Sequence, residues 1–248
     1  LEASLHPDPP DDLYGITVSA KGLAGWAIMP MGEYVGQNGL EHFDLSLKLL
    51  KAMTSRFTSE SAIRHFFLKD HKKTLKTIKP WTKDRNRHVR RLVSEGSRPL
   101  LPWSPRIGAF VDDPLLILPL LELLRHDKEE YVRRSVANNL NDIAKHHPDL
   151  VAETATLWLQ GASKDEQRMV RHACRTLLKQ GHPGTLSAFG YGDVKLDVEA
   201  FDIENPAIKL GQQLTFDLTL KSTSNEPQPL MIDYIVHHRK ANGTTSPK

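Results

Sequence analysis

Hydrophobic residues recur every three to four positions along most of the chain up to about residue 182, the spacing of amphipathic helices. Beyond that they alternate with polar residues, the spacing of half-buried strands. A single pattern returns three times within the helical region. "EYVRRSVANNLNDIAKHHP" (Glu130 to Pro148) is echoed upstream by "RHVRRLVSEGSRP" (Arg87 to Pro99) and downstream by "RMVRHACRTLLKQGHP" (Arg168 to Pro183). Each echo opens on Val-Arg-Arg or Val-Arg-His and predicts a helix. Aligned on Val89, Val132 and Val170, the echoes lie 43 and 38 residues apart, and four positions later stand Val93, Val136 and Cys174. Residues four apart share a helix face, so each pair points into a common core. A period of about 40 residues built from helix pairs predicts a HEAT-like solenoid, whose repeats bury their apolar faces only against their neighbours.

The partner helices are legible too. "PLLILPLLELLRHD" (Pro114 to Asp127) precedes the central echo and "PDLVAETATLWLQGA" (Pro148 to Ala162) the third. "GLEHFDLSLKLLKAMTSRF" predicts a helix from about Gly39, and "TSESAIRHFFLKD" another. The first 36 residues, rich in Gly and Pro, read as a long surface segment with at most short helices. After "GHPGTLSAFGYGD", the stretches "VKLDVEAF", "QQLTFDLTLKS" and "LMIDYIVHHRK" predict antiparallel strands of a small β-sandwich. Two or three strands make no independent sheet domain, so further strands are expected beyond this sequence. Leu1 in place of an initiator Met likewise points to a piece of a longer protein. The expected fold class is mainly α, a HEAT-like helical-repeat solenoid over residues 1–190 followed by an incomplete β-sandwich module over residues 191–248.

Composition changes this picture in one respect. With 39% hydrophobic and 25% charged residues the chain is ordinary globular material, and the single Cys174 excludes an internal disulfide and suits a reducing cytoplasm. No apolar window approaches a membrane span, and the N-terminus lacks a signal-peptide layout. Net charge is only +3, but Lys51 to Arg98 carries 14 Lys and Arg against four acids. A charge run is usually a solvated face. One sign gathered on consecutive helices points instead to a polyanion, of which nucleic acid is the commonest.

Four strings narrow the reading: "GLAGWAIMPMGEYVGQNGL", "MTSRFTSESAIRHFF", "VRRLVSEGSRPLLPW" and "VRRSVANNLNDIAKHHPD". From about Leu13 to the β module the chain resembles the AlkC family, bacterial DNA glycosylases of the AlkC/AlkD superfamily. The resemblance implies an immunoglobulin-like identity for the C-terminal strands, and additional N-terminal helices in the family at large. It implies monofunctional hydrolysis of the N-glycosidic bond of 3-methyladenine, and of related cationic lesions such as 3-methylcytosine, in double-stranded DNA. Such enzymes bend and wrap the duplex without deep base flipping. A cytoplasmic monomer without cofactor or metal is expected. Carried over by motif, the catalytic positions are Glu60 in "SES", Glu95 in "SEG", Trp103 in "LPW" and Asp142 in "LND".

The residue types suit that chemistry. A cationic base is already a good leaving group, so the difficulty is positive charge developing on the sugar, which carboxylates and an exposed ring stabilise. Each residue also has a structural reading. Glu60 follows Thr58 and is equally suited to a helix N-terminus; Glu95 precedes Gly96, a plausible residue just past a helix end. Asp142 with Asn138 and Arg134, and Glu95 with Arg91, form helical stripes that fit an Arg–carboxylate ladder between repeats. For Trp103 the alternative is packing against the solenoid, as Trp26, Trp81 and Trp158 are expected to do. The candidate phosphate contacts are Arg90, Arg91, Arg133, Arg134, Arg171, His172 and Arg175, some of them expected to serve inter-repeat salt bridges. The competing function is a non-catalytic HEAT-repeat scaffold for DNA or protein. Burial of Glu95 and Asp142 against Arg would favour it.

Overall fold

The computed structural model describes residues 2–7, 20–209 and 211–247. The chain divides into two compact units, Leu1–Thr185 and Leu186–Lys248. The regular elements of the first are helices, beside one isolated bridge between Leu5 and Leu23 among its described residues. In order come α1 (Ile28–Asn38), α2 (Phe43–Thr54), α3 (Ile63–Ile78), α4 (Arg87–Gly96), α5 (Gly108–Asp112), α6 (Leu118–Leu124), α7 (Glu130–Ile143), α8 (Pro148–Leu159), α9 (Lys164–Ala173) and α10 (Arg175–Lys179). A last helix, α11 (Pro183–Ala188), carries the chain into the second unit.

The three echoes are α4, α7 and α9, and α7 packs against both of the others. Their repeated apolar positions are core: Val89, Val132, Val170, Val93, Val136 and Cys174 are all buried. The opposite layer is equally periodic, with Leu120, Leu121 and Leu124 of α6 and Val151, Ala155 and Trp158 of α8 buried. Phe43 meets Phe66 edge-on at 5.5 Å and Phe67 meets Phe110 at 5.2 Å, closing the N-terminal end of the array. The HEAT-like reading therefore stands as fold.

Several local expectations need correction. The first 36 residues, of which 1 and 8–19 lie outside the described residues, contain the start of a full helix, α1. Pro30 falls in its first turn, where no hydrogen bond is lost. A Cβ on Gly36 would sit 2.5 Å from the His65 ring and 2.9 Å from the Ala62 carbonyl, so glycine here serves close helix approach. Residues 114–127 are not one helix but a 3-10 turn (Pro114–Leu116) followed by α6, with Pro119 in the new first turn. The third echo is likewise broken, at Cys174 between α9 and α10. Trp81 and Trp158 are buried, but Trp26 is 76% exposed and meets Phe57 at a tilt of 42°, with ring centroids 5.0 Å apart.

In the second unit β1 (Leu196–Ile203) and β2 (Phe216–Ser222) form an antiparallel pair with a bulge between Val198 and Ala200. The third expected strand is short. Only β3 (His237–Arg239) forms, and it pairs with an unforeseen β4 (Thr245–Pro247). Among the described residues no helix is long and apolar enough to cross a membrane, and no cluster of three or more His, Cys, Asp or Glu is placed to hold a metal.

Candidate functional site

The two basic residues that open each echo have different fates. Arg90 donates through Nε and Nη2 to both oxygens of Asp127 (2.5 and 2.9 Å), and through Nη1 to the carbonyls of Asp84 and Arg85. Arg133 repeats the device in the next repeat, donating to the carbonyls of Asp127 and Lys128 and to Asp165 Oδ2 at 2.9 Å. Arg90 and Asp127 are nearly buried, at 8% and 6% exposure of their side chains. These arginines tie repeats together. Sequence reasoning missed the signal: Asp84, Asp127 and Asp165 each stand six residues before Arg90, Arg133 and Arg171.

The second basic position lines open cavities. Arg91 and Arg134 line a cavity of about 320 Å³ with Glu95, Tyr131 and Asn138; Arg134 and His172 line a second, of about 280 Å³, with Arg168 and Asp165. Arg134 is exposed and makes no hydrogen bond or ion pair among the described residues. Arg171 is also exposed. His172 Nε2 and Arg175 Nη2 both reach Asn138 Oδ1, at 3.1 and 3.3 Å. Burial, with the charges of Arg175 and Arg134, holds the His172 pKa below its ordinary value. Burial likewise lowers that of Arg175.

Glu60, just before α3, Glu95 of α4 and Asp142 of α7 form one chain of ion pairs. Arg91 Nη1 donates to Glu60 Oε2 at 2.7 Å and its Nη2 lies 3.6 Å from Glu95 Oε1. Arg98 donates to Glu95 Oε1 at 2.7 Å and, through Nε, to Asp142 Oδ2 at 2.8 Å. Ser135 donates to the other oxygen of Glu95 at 2.6 Å. Thr58 donates to Glu60 at 2.6 Å. Burial alone would lower the pKa of Arg91 and Arg98, but the carboxylates reverse this and hold both above the usual arginine value. Glu95 and Asp142 are only 4% and 3% exposed, whereas Glu60 is half-buried. Two oxygens remain without a hydrogen bond among the described residues: Glu60 Oε1 and Asp142 Oδ1, the latter 3.6 Å from the ammonium of the exposed Lys145.

Gly96, next to Glu95, is not past the helix end. It is the last residue of α4, and a Cβ there would meet Ile63 at 2.6 Å. The chain then enters the loop that carries Trp103. This ring is fully exposed, at 105%, and its backbone is left-handed, with φ +60°. Trp103 is the one non-glycine among the described residues with positive φ. For a bulky side chain that geometry costs roughly 1–2 kcal/mol and persists only where its surroundings impose it. Ser104, its neighbour, shares a 2.7 Å hydrogen bond with Ser61, the neighbour of Glu60. All four catalytic candidates are thereby linked, Trp103 through this serine pair and the acids through Arg91 and Arg98.

Two residues of this network were not singled out from the sequence. Arg98 is its hub. Arg64 is completely buried, and among the described residues its guanidinium hydrogen-bonds only to carbonyl oxygens, those of Gly96, Arg98, Pro99 and Pro105.

Known proteins share this architecture. Residues 34–177 match the family model of the DNA alkylation repair enzymes, and residues 197–248 match that of the C-terminal Ig-like domain of the uncharacterised protein YhaZ. The uncharacterized protein YhaZ of Bacillus subtilis is 41% identical over 224 residues, 90% of this chain and 61% of that one. A solved structure, the Pseudomonas fluorescens alkylpurine DNA glycosylase AlkC bound to DNA containing an abasic site analog, superposes with a TM-score of 0.81. It shares 38% identity over 88% of this chain and 60% of its own. The chain thus spans about three fifths of the length of both relatives. Its family model covers more than half of the chain, the fold is that of AlkC, and the protein belongs to the DNA alkylation repair enzyme family.

Proposed function

We propose that the protein is a monofunctional DNA glycosylase that releases cationic N-alkylated bases, 3-methyladenine and 3-methylcytosine among them, from duplex DNA. The observation that carries this reading is Trp103, fully exposed on a left-handed backbone beside the acid network. A ring that buries no area in the free protein, yet is held in a strained pose, is suited to a partner. The similarity to a glycosylase bound to DNA supports DNA as that partner, a duplex in this reading.

In this reading the exposed Arg134, with Arg171 and His172, meets phosphates, and Trp103 packs on the deoxyribose of the lesion. The C1′–N bond breaks with its electron pair passing to the base, which leaves neutral. Positive charge then spreads over C1′ and the ring oxygen. Glu60 Oε1 and Asp142 Oδ1, the two oxygens not already hydrogen-bonded, stabilise it. Water adds to C1′ and yields its proton to a carboxylate, leaving a free base and an abasic site. The cavities beside Arg134 are open and lined mostly by polar side chains, which suits a reaction in which the lesion's own charge does the work of a leaving-group acid.

The scaffold reading has one observation in its favour, the burial of Glu95 and Asp142 against Arg98. Base release separates the two. Duplexes carrying 3-methyladenine, 3-methylcytosine or uracil are incubated with the protein and the freed bases resolved. Release of the cationic bases without uracil supports the proposal, and Asp142→Asn should slow it on the order of a hundredfold with DNA affinity little changed. Tight binding with no release of any base establishes the scaffold.

A further inference from the structure

We infer that Arg64 is the positioning residue for Trp103, its guanidinium acting as a clamp across the two ends of the loop that presents the ring. This rests on the glycosylase reading but is measurable separately from it.

A fully buried arginine ordinarily meets a carboxylate. Arg64 does not. Nη1 donates to the carbonyls of Gly96 (3.1 Å) and Arg98 (2.6 Å), and Nη2 to that of Pro99 (3.4 Å) and to that of Pro105. Nε donates to Pro105 as well, at 2.7 Å. The bonded carbonyls thus lie at the start and at the end of residues 96–105, with Trp103 between them. That stretch cannot fix itself. Pro99, Pro102 and Pro105 lack amide protons, and past the Arg98 N to Glu95 O bond (3.3 Å) that closes α4 the backbone bonds among the described residues there are long, Ser104 N to Leu101 O at 3.4 Å and Ile107 N to Pro99 O at 3.2 Å. A planar guanidinium reaches both ends at once; an ammonium, with its donors on one atom, does not. The clamp also explains how a strained backbone at Trp103 survives in an exposed loop.

Burial and the nearby charge of Arg98 pull the Arg64 pKa down to about 10, so the group is still cationic at neutral pH. Its charge is balanced at a distance by Asp142, Glu60 and Glu95, to none of which it is hydrogen-bonded among the described residues. The clamp and the acids therefore belong to one unit. Arg64 itself meets neither base nor sugar.

The test uses the full chain and its Arg64→Ala and Arg64→Lys variants. Three quantities are read: single-turnover release of 3-methyladenine, affinity for a duplex with an abasic-site analogue, and deuterium exchange of the peptide covering residues 97–107. In Arg64→Ala, release should fall on the order of a hundredfold while affinity holds. Exchange over 97–107 should quicken. Millimolar guanidinium should restore some of the rate and slow the exchange in Arg64→Ala, with no effect on wild type. Arg64→Lys, which keeps the charge, should stay folded and remain slow. Exchange over 97–107 unchanged in both variants, or release and exchange that guanidinium leaves untouched, overturns the inference. If wild type releases no base yet exchange responds as described, the clamp stands and the glycosylase reading falls.

Discussion

Trp103 is held where a tryptophan has no intrinsic reason to be, with its ring in solvent and its backbone in the left-handed region. Removing the side chain forfeits no buried area, and glycine adopts this φ freely. Trp103→Gly is therefore expected to leave the melting temperature unchanged or raise stability by up to about 1 kcal/mol, while base release collapses. Differential scanning calorimetry beside a release assay checks both halves. Cys174 illustrates the opposite case, a group defined by burial. Its thiol is pushed up from an ordinary 9.0 to about 12. The folded state thus keeps a proton that the unfolded state loses, so this contribution to stability is complete below pH 9 and declines as pH rises towards 12. A thiol reagent at pH 8 should react with Cys174 only at the rate of unfolding. Of these two residues, the sequence pointed correctly to the burial of Cys174, because it aligns with Val93 and Val136. The pose of Trp103 was invisible, because it depends on Arg64, distant along the chain.

Among the elements, the repeated helices were legible and their contacts were not. A 3.6-residue period marks which face is buried, but neighbouring residues of a helix differ by about 100° in direction, and only packing decides which of Arg90 and Arg91 meets the next repeat. The Asp–Arg ladder makes the distinction measurable. Asp127 is almost buried, and losing its charge leaves Arg90 without compensation, so Asp127→Asn should destabilise by about 3 kcal/mol. Asp165 is 56% exposed at the equivalent rung, and Asp165→Asn should cost less than about 1 kcal/mol. Chemical denaturation of the pair measures the difference. Arg134 gives the complementary result. Without a protein partner among the described residues, Arg134→Gln should leave stability alone but reduce the salt slope of duplex binding by about 0.9, the signature of one lost phosphate contact. An unaltered slope removes Arg134 from the interface. Other elements escaped sequence reasoning for local reasons. Glycines that count against a helix serve close packing in α1, and Pro119 restarts the helix before the central echo.

At the scale of the whole molecule, the array is quasi-one-dimensional, each repeat resting on its neighbours through the same Asp–Arg rung. Cleavage by trypsin at the exposed Lys195 is accordingly expected to leave the melting transition of Leu1–Thr185 in place, which calorimetry of the cut protein reports. The strained loop has a consequence for any directed evolution of this protein. Tryptophan's only codon becomes a glycine codon by one base change, so a random library screened for heat resistance alone should return Trp103→Gly early and repeatedly. Under the proposed function such a screen would breed a sturdier protein without base release, and alternating rounds of survival under alkylating agents would be required to keep the ring in place.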